Sequence, residues 1–222
     1  KPDQFIYKYS YDAENKIKNL LSSKDDIVYT QEVQYEYYLH GPLARTIYGE
    51  DQVQGIDYAY TLQGWLKGIN ASTLNANYDM GRDGDASIAA NNNAKTATDA
   101  IALTLRYYQN DYKQIARTTL PVEATLPTVG LGSNPLYNGN IGSSIVSLKN
   151  MTPHGYQYTY DQLNRIVGMD VHKQPAVAAN NMSAATLSPD YQERISYDPN
   201  GNILTYNRNM DNAANMDDLK YN

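Results

Sequence analysis

A recurring Tyr-x-Tyr unit, followed each time by a polar turn and the start of a basic or apolar strand, most constrains the fold of this chain. Residues two apart on a β-strand face the same side, so each unit places two tyrosine rings together. Asp, Asn and Gly after the second tyrosine supply turn chemistry, and the chain is expected to return antiparallel. The units are therefore predicted to be β-hairpins, and they contain Tyr9 and Tyr11, Tyr35 and Tyr37, Tyr58 and Tyr60, Tyr158 and Tyr160, and Tyr197.

Hairpins of this kind are predicted to stack side by side, because one hairpin alone is marginally stable and exposes unpaired edges. The predicted fold class is all-β: antiparallel hairpin repeats form one curved sheet over residues 1–222, as part of a larger hollow shell. The segment Leu219–Asn222 begins a further strand. We therefore expect the polypeptide to continue in both directions, with neighbouring sequence covering the edge strands.

Two stretches interrupt the repeat. An insertion at about 71–110 contains Asp79, Asp83 and Asp85 among glycines, which predicts a solvated polar loop, and it is expected to end in a strand at 104–108. The spacing of its aspartates departs from a calcium-binding loop and lacks the closing Glu. The stretch 118–144, rich in Pro, Gly and Thr, predicts an irregular connection.

Two shorter segments are also predicted to be irregular or ambiguous. Residues 176–188 indicate an exposed loop between the last two hairpins. Residues 12–21 are the best helix candidate, although the hairpin interpretation is equally well supported there.

The aromatic residues are distributed very unevenly, with 22 Tyr against one Trp (Trp65) and one Phe (Phe5). A close-packed core usually mixes Phe, Leu and Ile, whereas a tyrosine hydroxyl needs water or a hydrogen-bond partner. We expect tyrosine on both faces of the strands, and sheet faces that stay partly wet, as around the solvent-filled space of a large barrel.

Several classes of function lack their usual signals. The net charge of −6 without a basic stripe argues against a nucleic-acid partner. No apolar run approaches the roughly 18 residues of a membrane helix, so no membrane insertion is expected in this segment. The chain has no cysteine, and His40, His154 and His172 lack ligand spacing, so no metal site is expected. No phosphate loop, dinucleotide fingerprint or nucleophile elbow occurs, so we expect no cofactor and no catalytic residue.

The repeat pattern resembles the RHS, or YD-repeat, proteins of bacteria, named for Tyr-Asp pairs. The pairs here are Tyr11-Asp12, Tyr160-Asp161 and Tyr197-Asp198, and the likeness covers nearly the whole chain. The most specific stretches are 160–166, which includes Asn164 and Arg165, and 197–203, which includes Gly201. The stretches 137–141 and 64–70, the latter with Trp65, look like the variants of RHS proteins in the Bacteroidota.

The resemblance implies a ribbon of hairpins that spirals into a hollow shell around a C-terminal toxin or effector domain. It also implies a secreted or cell-surface protein whose partners are neighbouring repeats, the enclosed domain and a secretion machinery. In that family an Asp-Pro-x-Gly element leading into a glycine pair frees the toxin. The run Asp198-Pro199-Asn200-Gly201 matches only its first half, so autoproteolysis is not carried over to Asp198.

Three hypotheses for function follow. The first is a non-catalytic shell segment that encapsulates or presents another domain, with the tyrosines packing across strands. The second is a cell-surface adhesion or carbohydrate-binding module that uses exposed tyrosines and Trp65. The third and weakest is a hydrolase whose carboxylates converge from separate hairpins in a pocket where nothing else satisfies them.

Overall fold

In the part of the chain that the structure describes, thirteen antiparallel β-strands form one open sheet in which strand order follows chain order. The computed structural model describes residues 4–88, 90–112, 136–173, 180 and 185–221. The all-β prediction of stacked antiparallel hairpins is confirmed. The strands are β1 (Ile6–Tyr11), β2 (Ile17–Ser23), β3 (Thr30–Tyr37), β4 (Leu43–Tyr48), β5 (Gln54–Tyr60), β6 (Leu66–Ile69), β7 (Ile101–Arg106), β8 (Ser143–Leu148), β9 (His154–Tyr160), β10 (Ile166–Lys173), β11 (Thr186–Tyr197), β12 (Ile203–Asn209) and β13 (Asn215–Lys220), with single 3-10 turns at Ala76–Tyr78 and Asp211–Ala213.

One turn geometry recurs in the hairpins that follow Tyr11, Tyr37, Tyr60, Tyr160 and Tyr197. The residue after each tyrosine donates its backbone N–H to the carbonyl four residues further on. The residue just before that carbonyl has a positive φ, which Asn and Gly adopt more easily than other residues. The residues with positive φ are Asn15, Gly41, Gly64, Asn164 and Gly201.

Each of these hairpins also carries a β-bulge at the same place. The closing tyrosine pairs with the first residue of the returning strand, and the register then shifts by one residue, as between Tyr11↔Ile17 and Ser10↔Asn19. The same shift occurs at Tyr37, Tyr60, Tyr160 and Tyr197. An αL residue followed by a bulge is a common way to close a short hairpin loop and to strengthen its twist.

The tyrosines of the repeat units share one face of the sheet, which we call the tyrosine face. The register links Tyr9 to Leu20, Leu20 to Val33 and Val33 to Tyr48, and side chains directly opposite each other across a ladder lie on the same side. Following the paired residues from strand to strand in the same way places Tyr58 and Tyr158 on this face as well. The expectation of tyrosine on both faces is therefore wrong.

The opposite face, which we call the covered face, carries small side chains that are buried. Ala102, Thr104, Ile145 and Ser147 are fully inaccessible to solvent. Ala59 on the neighbouring hairpin is buried as well. The best-packed layer of the molecule therefore lies on this face, near β7 and β8.

The described residues between 70 and 99 lie over this face, and we call them the covering segment. The Thr104 hydroxyl donates to Ser72 Oγ at 3.0 Å, and the Ser147 hydroxyl donates to the Ser72 carbonyl at 3.2 Å. Asn70 accepts from the Asp57 N–H at 2.8 Å and donates to the Ile101 carbonyl at 2.9 Å. The first half of the insertion is thus packed on the sheet through these hydrogen bonds, and the prediction of a solvated loop is wrong there.

Other boundaries differ from the sequence prediction. The strand expected at 104–108 occupies Ile101–Arg106. Residues 12–21 form the turn and the first part of β2, so the hairpin interpretation is confirmed there and the helix is not. Strand β8 begins at Ser143, inside the predicted irregular connection, of which 118–135 lie outside the described residues. Strand β11 begins at Thr186, and 176–179 and 181–184 of the predicted loop also lie outside them.

Candidate functional site

A set of tyrosine hydroxyl bonds, which we call the hydroxyl ladder, connects successive hairpins. In each bond a tyrosine O–H donates to the backbone carbonyl at the start of the preceding hairpin's returning strand. Phenylalanine could not make this bond, which accounts for the preference for tyrosine at these positions. The bonds run from Tyr37 to Ile17 at 2.9 Å, from Tyr107 to Leu66 at 2.8 Å and from Tyr197 to Ile166 at 2.8 Å.

The residue just before each acceptor stacks on the ring of the same tyrosine. Lys16 Nζ lies 5.4 Å from the centroid of Tyr37, and the Arg165 guanidinium lies 4.6 Å from that of Tyr197. Cations over aromatic faces are attracted by the ring quadrupole. In the third case the residue is Trp65, whose ring contacts that of Tyr107 at a tilt of 47°, with the centroids 5.0 Å apart.

The aspartates of the Tyr-Asp pairs hold the turns. Asp12 Oδ1 accepts the N–H groups of Glu14 and Lys16 at 2.8 and 2.9 Å. The backbone hydrogen bond from Lys16 is the largest cause that lowers the pKa of Asp12, so this carboxylate stays ionised at neutral pH. Asp161 accepts the backbone N–H of Arg165 in the same way at 2.9 Å.

Arg165 connects two successive turns. Its Nε donates to Asp161 Oδ2 at 2.6 Å within its own turn, and its Nη1 donates to the Asp198 carbonyl of the next turn at 3.1 Å. Asp198 in turn accepts from the Asn202 side chain and N–H at 2.9 and 2.8 Å. The basic residue of the repeat therefore joins neighbouring hairpins by charge, by hydrogen bonding and by stacking.

The repeat residues identified from the sequence do not meet in one pocket. They lie in rows along the tyrosine face and along the row of turns, and Tyr37, Arg165 and Tyr197 contact an adjacent hairpin. Tyr9 and Tyr11 on the edge strand β1 are exposed. The rings that are half-buried are Tyr35, Tyr37, Tyr58, Tyr60, Tyr158, Tyr160 and Tyr197.

The groups that do converge include Asp79 and Asp83, which the sequence placed in a solvated loop, and their convergence was not predicted. We call them the carboxylate cluster: Arg45, Asp57, Asp79, Asp83 and Asp99. The Arg45 side chain is 5% exposed, and it donates from Nη1 to Asp57 and from Nη2 to Asp83 Oδ1 at 2.5 Å. Asp79 accepts the N–H groups of Gly81 and Asp83 at 2.9 and 2.8 Å. The covering segment is thus tied to strands β4 and β5 through buried charges.

Two glycines make room for this cluster. A Cβ atom at Gly55 would lie 2.0 Å from Arg45 Nη2, and one at Gly81 would lie 2.0 Å from Arg45 Nη1. Real atoms do not approach that closely, so glycine is required by the close packing of the guanidinium between the two backbones. Neither glycine has a positive φ, so turn conformation is not the reason.

The cluster holds more negative than positive charge. Burial raises the pKa of Asp57 to about 6 although Arg45 lowers it, and Asp83 and Asp79 add to the rise. Burial, together with Asp79, Asp83 and Asp57, raises the pKa of Asp99 to about 8. Asp99 therefore keeps its proton at neutral pH.

A cavity of about 410 Å³ lies beside the cluster, between the covering segment and the turn that joins β8 to β9. Asp79, Asp83 and Asp99 line one part of it, and apolar side chains such as Leu74 and Leu148 line the rest. In the described ranges no group of three or more His, Asp or Glu side chains is arranged to hold a metal ion. No helix among the same residues is long and apolar enough to cross a membrane.

The three histidines of the chain lie in three different environments. His40 is exposed and stacks on Tyr38, with ring centroids 5.3 Å apart. His154 is half-buried on β9. His172 is 1% exposed, neither ring nitrogen has a hydrogen-bond partner among the described residues, and burial lowers its pKa.

Comparison with known proteins gives matches to solved structures alone. No family model matches the chain, and no curated protein is similar to it in sequence. The crystal structure of TcdB2-TccC3-Cdc42 matches with a TM-score of 0.56 at 15% identity, over 98% of this chain and 9% of that chain. The crystal structure of TcdB2-TccC3 without its hypervariable C-terminal region matches with a TM-score of 0.53 at 15% identity, over 96% of this chain and 8% of that chain. The chain therefore spans under a tenth of the chains it matches and has the fold of a segment of the TcdB2-TccC3 protein, which supports the RHS-type fold implied by the Tyr-Asp repeats.

Proposed function

We propose that this chain is a non-catalytic shell segment of a larger secreted bacterial RHS-type protein, and that the shell encapsulates or presents a C-terminal toxin or effector domain. The observation that carries the proposal is the match of 98% of this chain to 9% of a much longer chain. A segment of such a shell needs to extend a sheet on both sides, and it needs only a small buried core of its own. The secretion machinery and the Bacteroidota subgroup belong to the proposal too, on the strength of the sequence resemblance.

The two edge strands support a sheet that continues. Within the described residues β1 pairs with β2 alone, and β13 pairs with β12 alone. Large apolar side chains are exposed at both ends, among them Tyr7 on β1 and Met216 on β13, at 57% and 53%. Long exposed edges of this kind are aggregation sites unless they are covered. We infer that neighbouring repeats of the same polypeptide cover them.

The hydroxyl ladder also fits an array without a fixed length. Each bond joins one hairpin to the one before it and uses no group outside the two hairpins. The stability of such a repeat array is the sum of the stability of each hairpin and its contacts with its neighbours, so further hairpins can be added without changing those already present. A wide shell needs this property more than a compact enzyme does.

Imaging the full-length natural polypeptide by electron cryomicroscopy tests the proposal. The expected result is a sheet that continues beyond β1 and β13 and closes around density from another segment of the chain. Protease treatment provides a matched measurement, since an enclosed domain is expected to resist cleavage until the shell is opened. A full-length protein in which either edge strand is free, or in which the sheet encloses nothing, would remove encapsulation from consideration.

A row of exposed aromatic side chains favours adhesion as a second candidate. Tyr7, Tyr9 and Tyr11 alternate along β1 on the tyrosine face, Phe5 lies just before the strand, and all four are about half exposed. Trp65, by contrast, is half-buried against Tyr107 and is not available for stacking on a sugar. Binding of oligosaccharides by the full-length protein, abolished when Tyr7 and Tyr9 are changed to serine, would favour adhesion over the shell.

The hydrolase hypothesis gains little from the carboxylate cluster. Asp79 uses both oxygens to accept backbone N–H groups, and Asp83 is bound to Arg45. These bonds hold the covering segment in place and leave Asp99 without a second carboxylate free to act as nucleophile or base. The structural role of these bonds supports the non-catalytic assignment.

A further inference from the structure

Each rim of the sheet is a row of connections between strands, and we name the two rims by what they contain. Strand order follows chain order and neighbouring strands are antiparallel, so the connections alternate between the rims in the described part of the chain. The turn rim holds the connections after β1, β3, β5, β7, β9 and β11, and the loop rim holds those after β2, β4, β6, β8, β10 and β12. Because adjacent strands lie about 4.8 Å apart, each rim repeats about every 10 Å.

The turn rim carries a row of exposed apolar side chains. They lie in the connections after β3, β5, β7 and β9, where Leu39 and Leu62 are fully exposed, at 107% and 102%, and Tyr137 and Leu163 are exposed at 70% and 65%. The connection after β7 lies beside the turn of Leu163, since Asn138 Nδ2 donates to Asn164 Oδ1 at 2.6 Å. These side chains therefore follow one another along the rim.

The turns themselves do not need these leucines. The loops are closed by backbone hydrogen bonds that Tyr38 and Thr61 donate at 2.9 and 2.8 Å, and Gly41 and Gly64 supply the positive φ. Turn tips usually hold Asp, Asn, Ser, Gly or Pro. A single exposed leucine is ordinary on a protein surface, but apolar side chains at four successive connections of one rim indicate a contact surface.

The loop rim carries apolar side chains of its own. The loops after β2, β4, β8 and β12 each contain at least one that is more than 40% exposed, and these are Ile27, Val28, Val53, Met151 and Met210. The cavity of about 410 Å³ lies at this rim as well, and Leu148, Met151 and Pro153 line the part formed by the β8–β9 turn. The loop rim therefore offers both apolar projections and an apolar hollow.

The two rims match each other in period and in chemistry, because the same strands form both. They lie at opposite ends of the strands, so they do not meet within one sheet. A projection and a receiving surface at opposite ends of one unit form a heterologous contact, which repeats wherever another stretch of the same ribbon lies alongside. The chain matches only 9% of a much longer chain, so a polypeptide of that kind contains many further hairpins.

We propose that the turn rim packs along the loop rim of a neighbouring winding of the same polypeptide, with Leu39, Leu62 and Leu163 as its apolar contacts. The inference rests on the proposed function in one respect, that the ribbon continues and winds. It does not depend on what the windings enclose. The contact seals the seam between two windings, which backbone pairing within the sheet leaves open.

Photo-cross-linking in the full-length natural polypeptide tests the proposal. Leu62→p-benzoylphenylalanine places the photoreactive group at a turn tip, and mass spectrometry after digestion identifies the peptide to which it couples. The expected partner is a loop-rim connection of the same molecule, outside residues 1–222. Tyr58→p-benzoylphenylalanine is the control, because Tyr58 lies within β5 on the tyrosine face and is expected to give no such peptide.

Two matched double variants measure what the leucines contribute. With the photoreactive group at position 62, Leu39→Lys with Leu163→Lys is expected to lower the cross-linking yield about ten-fold or more, the factor that corresponds to burial of one leucine side chain. His40→Lys with Gln162→Lys is the control, since these exposed neighbours in the same two turns add the same charge and remove no leucine. All four positions are turn tips, so the backbone bonds that close the loops are kept.

The outcomes separate rim packing from its alternatives and from the proposed function. Cross-links to an enclosed domain, to a second copy of the polypeptide or to nothing overturn the proposal, as does a yield that the leucine variants leave unchanged. Cross-links between windings of a shell that holds no domain would support rim packing and refute encapsulation. A closed shell around a domain, without these cross-links, would refute rim packing alone.

Discussion

Replacing Gly81 with alanine tests whether the carboxylate cluster holds the covering segment on the sheet. The added methyl carbon would lie 2.0 Å from Arg45 Nη1, 2.3 Å from Asp57 Oδ2 and 2.8 Å from Asp83 Oδ1. Side-chain ends give way easily at a surface, but the side chains of Arg45 and Asp83 are 5% and 0% exposed. The methyl group therefore separates the ion pairs without letting water reach the charges.

The expected loss follows from the cost of breaking a buried ion pair, about 3–5 kcal/mol. Gly81 has no positive φ, so alanine adds no backbone strain and recovers about 0.4–1 kcal/mol by restricting the unfolded chain. The net loss in unfolding free energy is thus about 2–4 kcal/mol. Gly64→Ala is the matched control, because Gly64 has a φ of +83° and nothing within 4 Å of its added carbon. Its cost is the left-handed conformation alone, about 1–2 kcal/mol.

Urea unfolding measures the loss of global unfolding free energy, and amide hydrogen exchange at the Asp83 N–H measures how far the covering segment is destabilised locally. The local measurement is needed because a repeat sheet can release the covering segment before it unfolds as a whole. In Gly81→Ala the Asp83 amide is expected to exchange faster, while amides in β10–β12 keep their protection. An Asp83 amide as protected as in wild type, or a smaller loss than that of Gly64→Ala, would refute the reasoning.

Three further results are expected. Tyr197→Phe should lower the unfolding free energy by about 1 kcal/mol in urea titrations, since the Ile166 carbonyl loses its donor, whereas Tyr9→Phe on the exposed edge should change it little. Burial lowers the pKa of His172, so the unfolded chain binds the proton more tightly and wild type loses stability as pH falls below about 6.5. His172→Leu should remove this loss, and a variant whose urea midpoint falls with pH as steeply as that of wild type would contradict it. Asp99 has a pKa of about 8 when folded against 3.8 when free, so it stabilises the folded chain below pH 4 and loses that effect as pH rises towards 8, by at most about 1.4 kcal/mol per pH unit. Asp99→Asn should therefore reduce the fall in unfolding free energy between pH 4 and pH 8.

The hairpins could be predicted from the sequence because their information is local. Asp161, Asn164 and Arg165 lie within one turn, and the turn that they indicate is the one that forms. The hydroxyl ladder is harder to predict from the sequence, although the tyrosines that form it are visible there. The acceptor is always the residue that pairs with a closing tyrosine, so the Tyr197 bond to Ile166 could have been found by asking what each hydroxyl donates to.

The carboxylate cluster could not be predicted because it joins residues that are far apart in the chain. Arg45 comes from a repeat strand and Asp83 from the insertion, and no motif connects them. Lys67 and Asp111 form a second buried pair at 2.7 Å with the same property. Polarity alone indicated a solvated loop at Asp79 and Asp83, whereas burial of their charges depends on a guanidinium that only the folded sheet supplies.

The hydroxyl ladder gives the array a direction. Every donor lies in a later part of the chain than its acceptor, so a hairpin leaving the ribosome meets a carbonyl that is already in place. Because each strand also pairs with its immediate predecessor, the sheet can be paired in the order of synthesis, whereas buried contacts such as Arg45–Asp83 form once the insertion has been made. A chain built in this way can fold at the rate at which it is synthesised, and it exposes one unfinished edge at a time to aggregation, whatever its final length.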